Sequence, residues 1–410
     1  MHEAYDATAL TPMRVARLSG YIDWVSQPSI FKHYPEFLFR YPFGSNPALR
    51  TAELSRMVTF EGVVGSKPYL RLSTPSAGNL HPVELYVQVR GVKGVLSGIY
   101  HVDAGANAMV LIREIERDGL ETALGMQKKF EGMLFVVSVV PFRSEWKYGD
   151  RALRYCYMDA GHQVGAVCAS AAVGGQSPTI LSGFDTDCLN RTMGFGGQEF
   201  TAAVIALGQE SEREAGEMKR GLMEVAPTDY CDTDGRIALQ IAKEPPFASR
   251  SDITMPVVDE EHIIKRRSAR LFSPEPLETA QFEHFMHCLM QVPEPLACFA
   301  VVLQSGSFKR GIYKEGVLLK EGDFADVAAA LLVDQRFVKD AAVIMVLTAE
   351  TFGSSELMSA GLFAQRLYLE AAARDAGFTG IGAFYDKKLQ RFLGTQQAVI
   401  YVGVFGVERK

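Results

Sequence analysis

The 410-residue sequence predicts an α+β protein made of two fused copies of one fold. Two observations carry this: residues that recur at a constant spacing of 200, and a hydrophobic pattern that alternates between strand-like runs and long small-residue helices. Composition agrees, since 48% hydrophobic and 22% charged residues are the balance of a globular chain with a large core.

The repeat is clearest at Ala160-Gly161 and Ala360-Gly361, and continues through Ala171/Ala371, Gly183-Phe184/Ala383-Phe384, Leu189/Leu389, Arg191/Arg391 and Gly194/Gly394. Upstream, Gly98-Ile99-Tyr100 is echoed by Gly311-Ile312-Tyr313, and the run Phe135 to Val140 by Val343 to Leu347. Each copy reads as strand, helix, strand, long helix, Gly-Phe or Ala-Phe loop, short helix and final strand. Glu84-Leu85-Tyr86-Val87-Gln88-Val89 alternates as a half-buried strand does. The helix from about Arg151 to Val173 carries Gly161, Gly165, Ala166, Ala169, Ala171 and Ala172, which permit close approach of another helix.

Four regions result: an N-terminal extension over 1–50, a first domain over 51–210, a linker over 211–256 and a second domain over 257–410. The extension holds Pro28, Pro35, Pro42 and Pro47 with Trp24, Phe31, Tyr34 and Phe37, too many aromatics for a disordered tail. The linker holds Pro227, Pro245, Pro246 and Pro256 among mixed charges.

A net charge of −6 argues against broad nucleic-acid binding. The six cysteines form no C-x-x-C unit, which removes zinc ribbons and thioredoxin motifs and fits a reducing compartment. The acidic start Met1 to Asp6 is no secretory leader, and the small-apolar run Val164 to Gly175 is too short to span a bilayer. A cytoplasmic protein without membrane or nucleic-acid partners is expected.

Two segments carry chemistry. Thr74-Pro75-Ser76-Ala77-Gly78-Asn79-Leu80-His81-Pro82 offers hydroxyl, amide and backbone donors, with Gly78 allowing close approach to a ligand. Arg266, Ser268 and Arg270 alternate along one segment and can converge on a phosphate. Taken alone, the first is equally an ordinary turn and the second a solvated basic face. His284, His287 and Cys288 have metal-like spacing. However, Phe282, Phe285 and Leu289 make that helix amphipathic and no third ligand is evident, so no metal is expected. Gly194-Phe195-Gly196-Gly197 lacks the strand-before, helix-after context of a dinucleotide fingerprint.

Pro-Ser-Ala-Gly-Asn followed by His-Pro, and Arg-Arg-Ser-x-Arg-x-Phe, resemble the two FMN-binding signatures of the nitroreductase superfamily. Lys147-Tyr148-Gly149-Asp150-Arg151 with Asp159-Ala160-Gly161-His162 is similar to the SagB-type dehydrogenases, which oxidise azolines to azoles in peptide natural products. The resemblance covers about residues 20 to 410, specifically in the first domain and more loosely in the second, where Ile381 to Asp386 matches best.

The resemblance implies two nitroreductase-like domains fused as an intramolecular pseudo-dimer. Arg266, Ser268 and Arg270 would hold the flavin phosphate and ribityl chain. Pro75, Ser76, Ala77 and Asn79 would contact the flavin from the other domain, and Gly382 and Ala383 would approach flavin N5. Arg409 and Lys410 are further phosphate candidates. The start of the first domain has no Arg-x-Ser-x-Arg, and Val292-Pro293-Glu294-Pro295-Leu296 replaces the loop of the second. The two sets complement each other once, so one FMN per chain at the domain interface is expected.

Lys147 and Tyr148 match the catalytic pair of the azoline dehydrogenases, where a base removes a proton as hydride leaves; a surface Lys beside a packed Tyr is the alternative. A lysine serves only if its pKa falls, and neighbours on a strand point apart, so a loop is expected there. His81 and His162 read as structural. Three functions stay open: azoline dehydrogenase, NAD(P)H-dependent reductase of nitro, quinone or enone compounds, and flavin-binding partner subunit in a biosynthetic complex. The chain is expected to be a monomer or homodimer.

Overall fold

The structure is a computed structural model that describes residues 2–18, 20, 22–65, 67–249, 255–306 and 308–409. The chain divides into two compact units, Ile22–Ser249 and Met1–Tyr21 with Arg250–Lys410. Two short helices open it, α1 (His2–Thr8) and α2 (Pro12–Leu18), and both belong to the second unit.

The Ile22–Ser249 unit contains β1 (Arg40–Pro42), α3 (Arg50–Ser55), the hairpin β2 (Val58–Val64) and β3 (Lys67–Leu72), then β4 (Val83–Arg90), β5 (Gly98–Asp103), β6 (Ala108–Glu114) and β7 (Lys128–Val139). After these come α4 (Pro141–Tyr148), α5 (Ala152–Val173), β8 (Thr179–Leu181), α6 (Thr186–Thr192), β9 (Phe200–Glu214) and α7 (Arg236–Ile241). Its main sheet has the order β1-β6-β5-β4-β7-β9-β8, with every pairing antiparallel. Residues 211–249 are part of this unit: Ala215 N–H donates to the Gln127 carbonyl and Phe247 N–H to that of Ala202.

The second unit continues with α8 (Glu260–Lys265), α9 (Thr279–Met290), β10 (Leu296–Val302), β11 (Gly311–Lys314), β12 (Val317–Glu321), α10 (Ala325–Leu331) and β13 (Val343–Ala349). It ends with α11 (Ser354–Ala372), β14 (Gly377–Gly380), α12 (Asp386–Leu393) and β15 (Ala398–Gly406). Its sheet order, β12-β11-β10-β13-β15-β14, is that of the first unit without β1.

The repeat extends to details. Tyr100 Oη donates to the Leu96 carbonyl (2.7 Å) and Tyr313 Oη to that of Lys309 (2.8 Å), four residues back in both cases. The register shifts between Ile99 and Tyr100 in one unit and between Ile312 and Tyr313 in the other. A second shift falls at Val137/Ser138 on β7 and at Leu347/Thr348 on β13. Three strands, β4–β6 in the first unit and β10–β12 in the second, run before the helical turn that leads into β7 or β13, where the sequence pattern suggested one.

The long helices α5 and α11 are buried on nearly all faces. β4 is not half-buried as its alternation suggested: all eight residues are buried, Glu84, Gln88 and Arg90 included. The first fifty residues are not one extension either. Tyr5 of α1 packs edge-on against Phe352 and Leu10 N–H donates to Asp386 (2.8 Å) in the second unit, while β1 is an edge strand of the first sheet.

Candidate active site

The loop joining β3 to β4 folds back on itself. Gly78, Asn79 and His81 have φ of +63°, +60° and +46°, so two non-glycine residues adopt a conformation that L side chains rarely take. Local bonds hold it: His81 N–H donates to Ser76 Oγ (2.9 Å), and Asn79 Oδ1 lies 3.1 Å from His81 Nε2. Asp159, reaching from α5, accepts from the Ser76 hydroxyl and the Ala77 N–H. Its other carboxylate oxygen, Oδ2, is buried without a partner. Burial pushes the Asp159 carboxyl up to about 7 against the opposing pull of those two bonds.

Lys147 and Tyr148 are the last two residues of α4, not part of a loop, and Gly149 turns the chain after them with φ +50°. Both side chains reach Gly78. A Cβ at position 78 would collide with the Tyr148 hydroxyl and stand 3.2 Å from Lys147 Nζ. Lys147 Nζ lies over the rings of Trp24 (4.8 Å) and Tyr148 (5.2 Å), and burial lowers its pKa. Tyr148 packs edge-on against Tyr155, and burial raises its pKa. The half-buried ammonium, the phenol and the exposed Gly78 backbone therefore meet at one point.

Beneath the loop lies a buried ionic network that the pattern of the sequence did not disclose. Glu84 on β4 faces Arg143 (2.7 Å), Arg56 (3.2 Å) and His101 (3.0 Å), all at most 1% exposed. Burial alone would raise the Glu84 carboxyl, but the two guanidiniums and the His101 hydrogen bond hold it well below the usual carboxylate range. Arg143 also donates to the carbonyls of His81 (3.0 Å) and Pro227 (2.7 Å). It thereby ties α4 to the loop. Beside it Glu199 takes bonds from Lys32 (2.8 Å), Tyr86 (2.8 Å) and Ser138 (2.6 Å).

In the second unit, Arg266 ends α8 and is 3% exposed, its guanidinium 5.2 Å from the Tyr368 ring centroid. The Tyr368 hydroxyl meets Ser268 Oγ and the Gly380 N–H at 2.9 Å each. Tyr368, unmarked in the sequence, therefore joins the arginine segment to the stretch entering Gly382 and Ala383. Arg267 turns the other way to Glu408 (2.9 Å), Ala269 enters the core and Arg270 is exposed. The Ala383 carbonyl accepts from Gln335 (3.1 Å). Arg409 N–H bonds to the Leu271 carbonyl, and Lys410 lies outside the described residues.

α3 and α8 hold the same place in the repeat, packing on α5 and α11 respectively, and each is followed at its C-cap by an arginine. In the first unit that arginine, Arg56, is committed to Glu84. The turn at Val292 to Leu296 is closed by a Leu296 N–H to Pro293 carbonyl bond (2.9 Å). His81 and His162 are buried, at 2% and 3% exposure.

Comparison with known proteins shows that the chain has a nitroreductase-like fold. Residues 263–407 match the model of the Nitroreductase family. That match falls on the second unit, whereas the sequence signatures looked more specific in the first. Two similar proteins are each named "putative nitroreductase". The one from Anabaena variabilis, a crystal structure, superposes over 100% of this chain and 99% of its own with a TM-score of 0.81 at 22% identity. The one from Methanocaldococcus jannaschii is 35% identical over 94 residues, which is 22% of this chain. The match spans 47% of that relative's length.

Proposed function

We propose that this chain is an FMN-dependent oxidoreductase that acts as a dehydrogenase on an azoline or related ring in a peptide or natural product. The observation that carries the reading is the convergence of Lys147 Nζ and Tyr148 Oη on Gly78. The residues suit a flavin. The exposed Gly78 backbone has Lys147 Nζ and Tyr148 Oη beside it, and Arg266 and Ser268 gather a guanidinium and a hydroxyl beside one tyrosine. The resemblance implies flavin ligands at Pro75, Ser76, Ala77 and Asn79 in the first unit and at Arg266, Ser268, Arg270, Gly382 and Ala383 in the second. Arg56, the counterpart of Arg266, is spent on Glu84. One FMN per chain is the stoichiometry this reading proposes.

Bound FMN would supply the hydride acceptor. Lys147 takes the proton from the ring carbon: its burial disfavours the ammonium, the direction a general base needs. Tyr148, whose phenol burial keeps protonated, donates a hydrogen bond to the ring heteroatom or flanking carbonyl. Trp24 shields one side of Lys147 from water. The six free cysteines suit a reducing cytoplasm, and no helix among the described residues is long and apolar enough to cross a membrane.

Anaerobic mixing tests this reading. A thiazoline peptide should bleach the bound flavin, and air should restore colour with release of the thiazole. Rapid bleaching by NADH or NADPH without reaction of the thiazoline would make the chain a reductase instead. Lys147→Ala should keep its flavin and lose turnover by at least about a hundredfold, the usual contribution of a general base. A colourless variant, or a fully active one, overturns the role. Flavin content near two per chain would overturn the single ligand set.

A further inference from the structure

We propose that His284, Cys288 and Glu370, in the second unit, form a binding site for one divalent cation of the zinc class. His284 and Cys288 stand one turn apart on α9, and Glu370 comes from α11. Glu370 lies 86 positions from His284, so the sequence pattern offered no third ligand. Their donor atoms lie within 4.8 Å of one another.

The detail that favours a cation over a side-chain relay is which atom is shared. His284 Nε2 is 2.9 Å from Glu370 Oε2 and 3.3 Å from Cys288 Sγ. A relay of the Cys-His-acid kind uses opposite ring nitrogens, with the acid on one and the thiol on the other. Here both partners face one nitrogen, which carries one proton or one lone pair and cannot serve both well. Three donors around a common centre are what a tetrahedral ion uses. Bond lengths of about 2.0–2.3 Å place neighbouring ligand atoms about 3.3–3.7 Å apart; the His284–Cys288 pair stands at 3.3 Å, and an ion would part the His284–Glu370 pair from 2.9 Å.

Thiolate, imidazole and carboxylate select zinc over magnesium or calcium. Cys288 and Glu370 are 1% and 4% exposed, while the His284 side chain is 28% exposed, so the cluster is reached from solvent on the histidine side. Arg374 bonds Glu370 Oε2 (2.6 Å) and Arg366 Nε lies 3.8 Å from Oε1. Both orient the carboxylate, and both weaken the hold on a dication relative to an arginine-free site. Cys288 binds an ion as the thiolate, so metal binding displaces its proton. The consequence is a staple between α9 and α11, independent of flavin chemistry.

Equilibrium dialysis of the full chain against zinc, with metal analysis of the retained protein, tests the site. About one zinc per chain is expected, with one sulfur scatterer at about 2.3 Å in the zinc X-ray absorption spectrum. Zinc should raise the melting temperature of the parent protein. Cys288→Ser changes a single atom and His284→Gln a part-exposed side chain. Each should lose at least about tenfold in zinc affinity and the melting shift, while keeping parental flavin content. No retained zinc, retention undiminished in both variants, or a spectrum without sulfur would overturn the assignment.

Discussion

At the scale of single residues, position 78 shows how little room the assembled pair leaves. Gly78→Ala places a methyl against the Tyr148 hydroxyl and Lys147 Nζ on a backbone at φ +63°. It should cost about 1–2 kcal/mol from the left-handed conformation alone. It should also lower flavin retention, read as flavin per chain after gel filtration. Asp159 gives a prediction with a sign. Its folded carboxyl titrates at about 7 against 3.8 as a free group. Between those values the folded chain keeps a proton that the unfolded chain has lost, so stability falls as pH rises through the window and levels off above about 7. Asp159→Asn removes that slope. The melting temperature of the variant minus that of the parent should climb from about pH 4 to 7 and then stay flat; a flat difference throughout would show Asp159 to be charged in the fold. The Lys147-Tyr148 pair was legible because adjacent residue types form a motif. Its setting was not, because α4 breaks the strand-like pattern only where Pro141 begins it. Asp159 sat inside a recognised stretch without a role, since the partners that define it, Ser76 and Ala77, lie eighty residues upstream.

At the scale of elements, β4 carries the sharper lesson. Alternating polar residues on a strand ordinarily mark a solvated face, and the half-buried pattern of β4 predicts one at Glu84 and Gln88. The structure turns them inward, where Arg56, Arg143 and His101 from three other segments satisfy Glu84. One-dimensional periodicity cannot distinguish water from buried cations as the partner of a carboxylate. Breaking such a network leaves an uncompensated buried charge, so Arg143→Met should destabilise by about 3–5 kcal/mol in urea unfolding. Because Arg143 also holds the His81 carbonyl, the variant should lose flavin at denaturant concentrations below its unfolding midpoint. Simultaneous loss of flavin and fold would instead make Arg143 a purely structural residue. Small-residue helices were the legible elements: α5 and α11 are buried all round, and their alanines and glycines mark that in the sequence.

At the scale of the whole chain, the two units were legible as a repeat, but the assignment of the chain ends to them was not. Residues at the extreme N-terminus pack on the second unit, more than three hundred positions away. Tyr5 is 2% exposed, sits edge-on to Phe352, lies under Lys387 Nζ (5.0 Å) and offers its hydroxyl oxygen to the Val399 N–H (3.2 Å). Leu10 N–H caps the same region through Asp386, itself fully buried. Aromatic burial of this kind is worth about 1.5–3 kcal/mol, and the Asp386 carboxylate loses a donor with it. Deleting residues 2–18 should therefore loosen α12 and the start of β15 specifically. Hydrogen exchange is the measurement: amides of Asp386–Leu393 and Ala398–Val399 should exchange faster in the truncated chain, while those of β4 and β7 in the first unit keep their protection. Tyr5→Ala should reproduce a smaller part of the effect at the same amides, because it removes the ring and the hydroxyl but leaves the Leu10 bond. Uniform loss of protection in both units would mean that the N-terminal helices support the entire chain, and unchanged exchange would mean that their packing contributes nothing to the second unit.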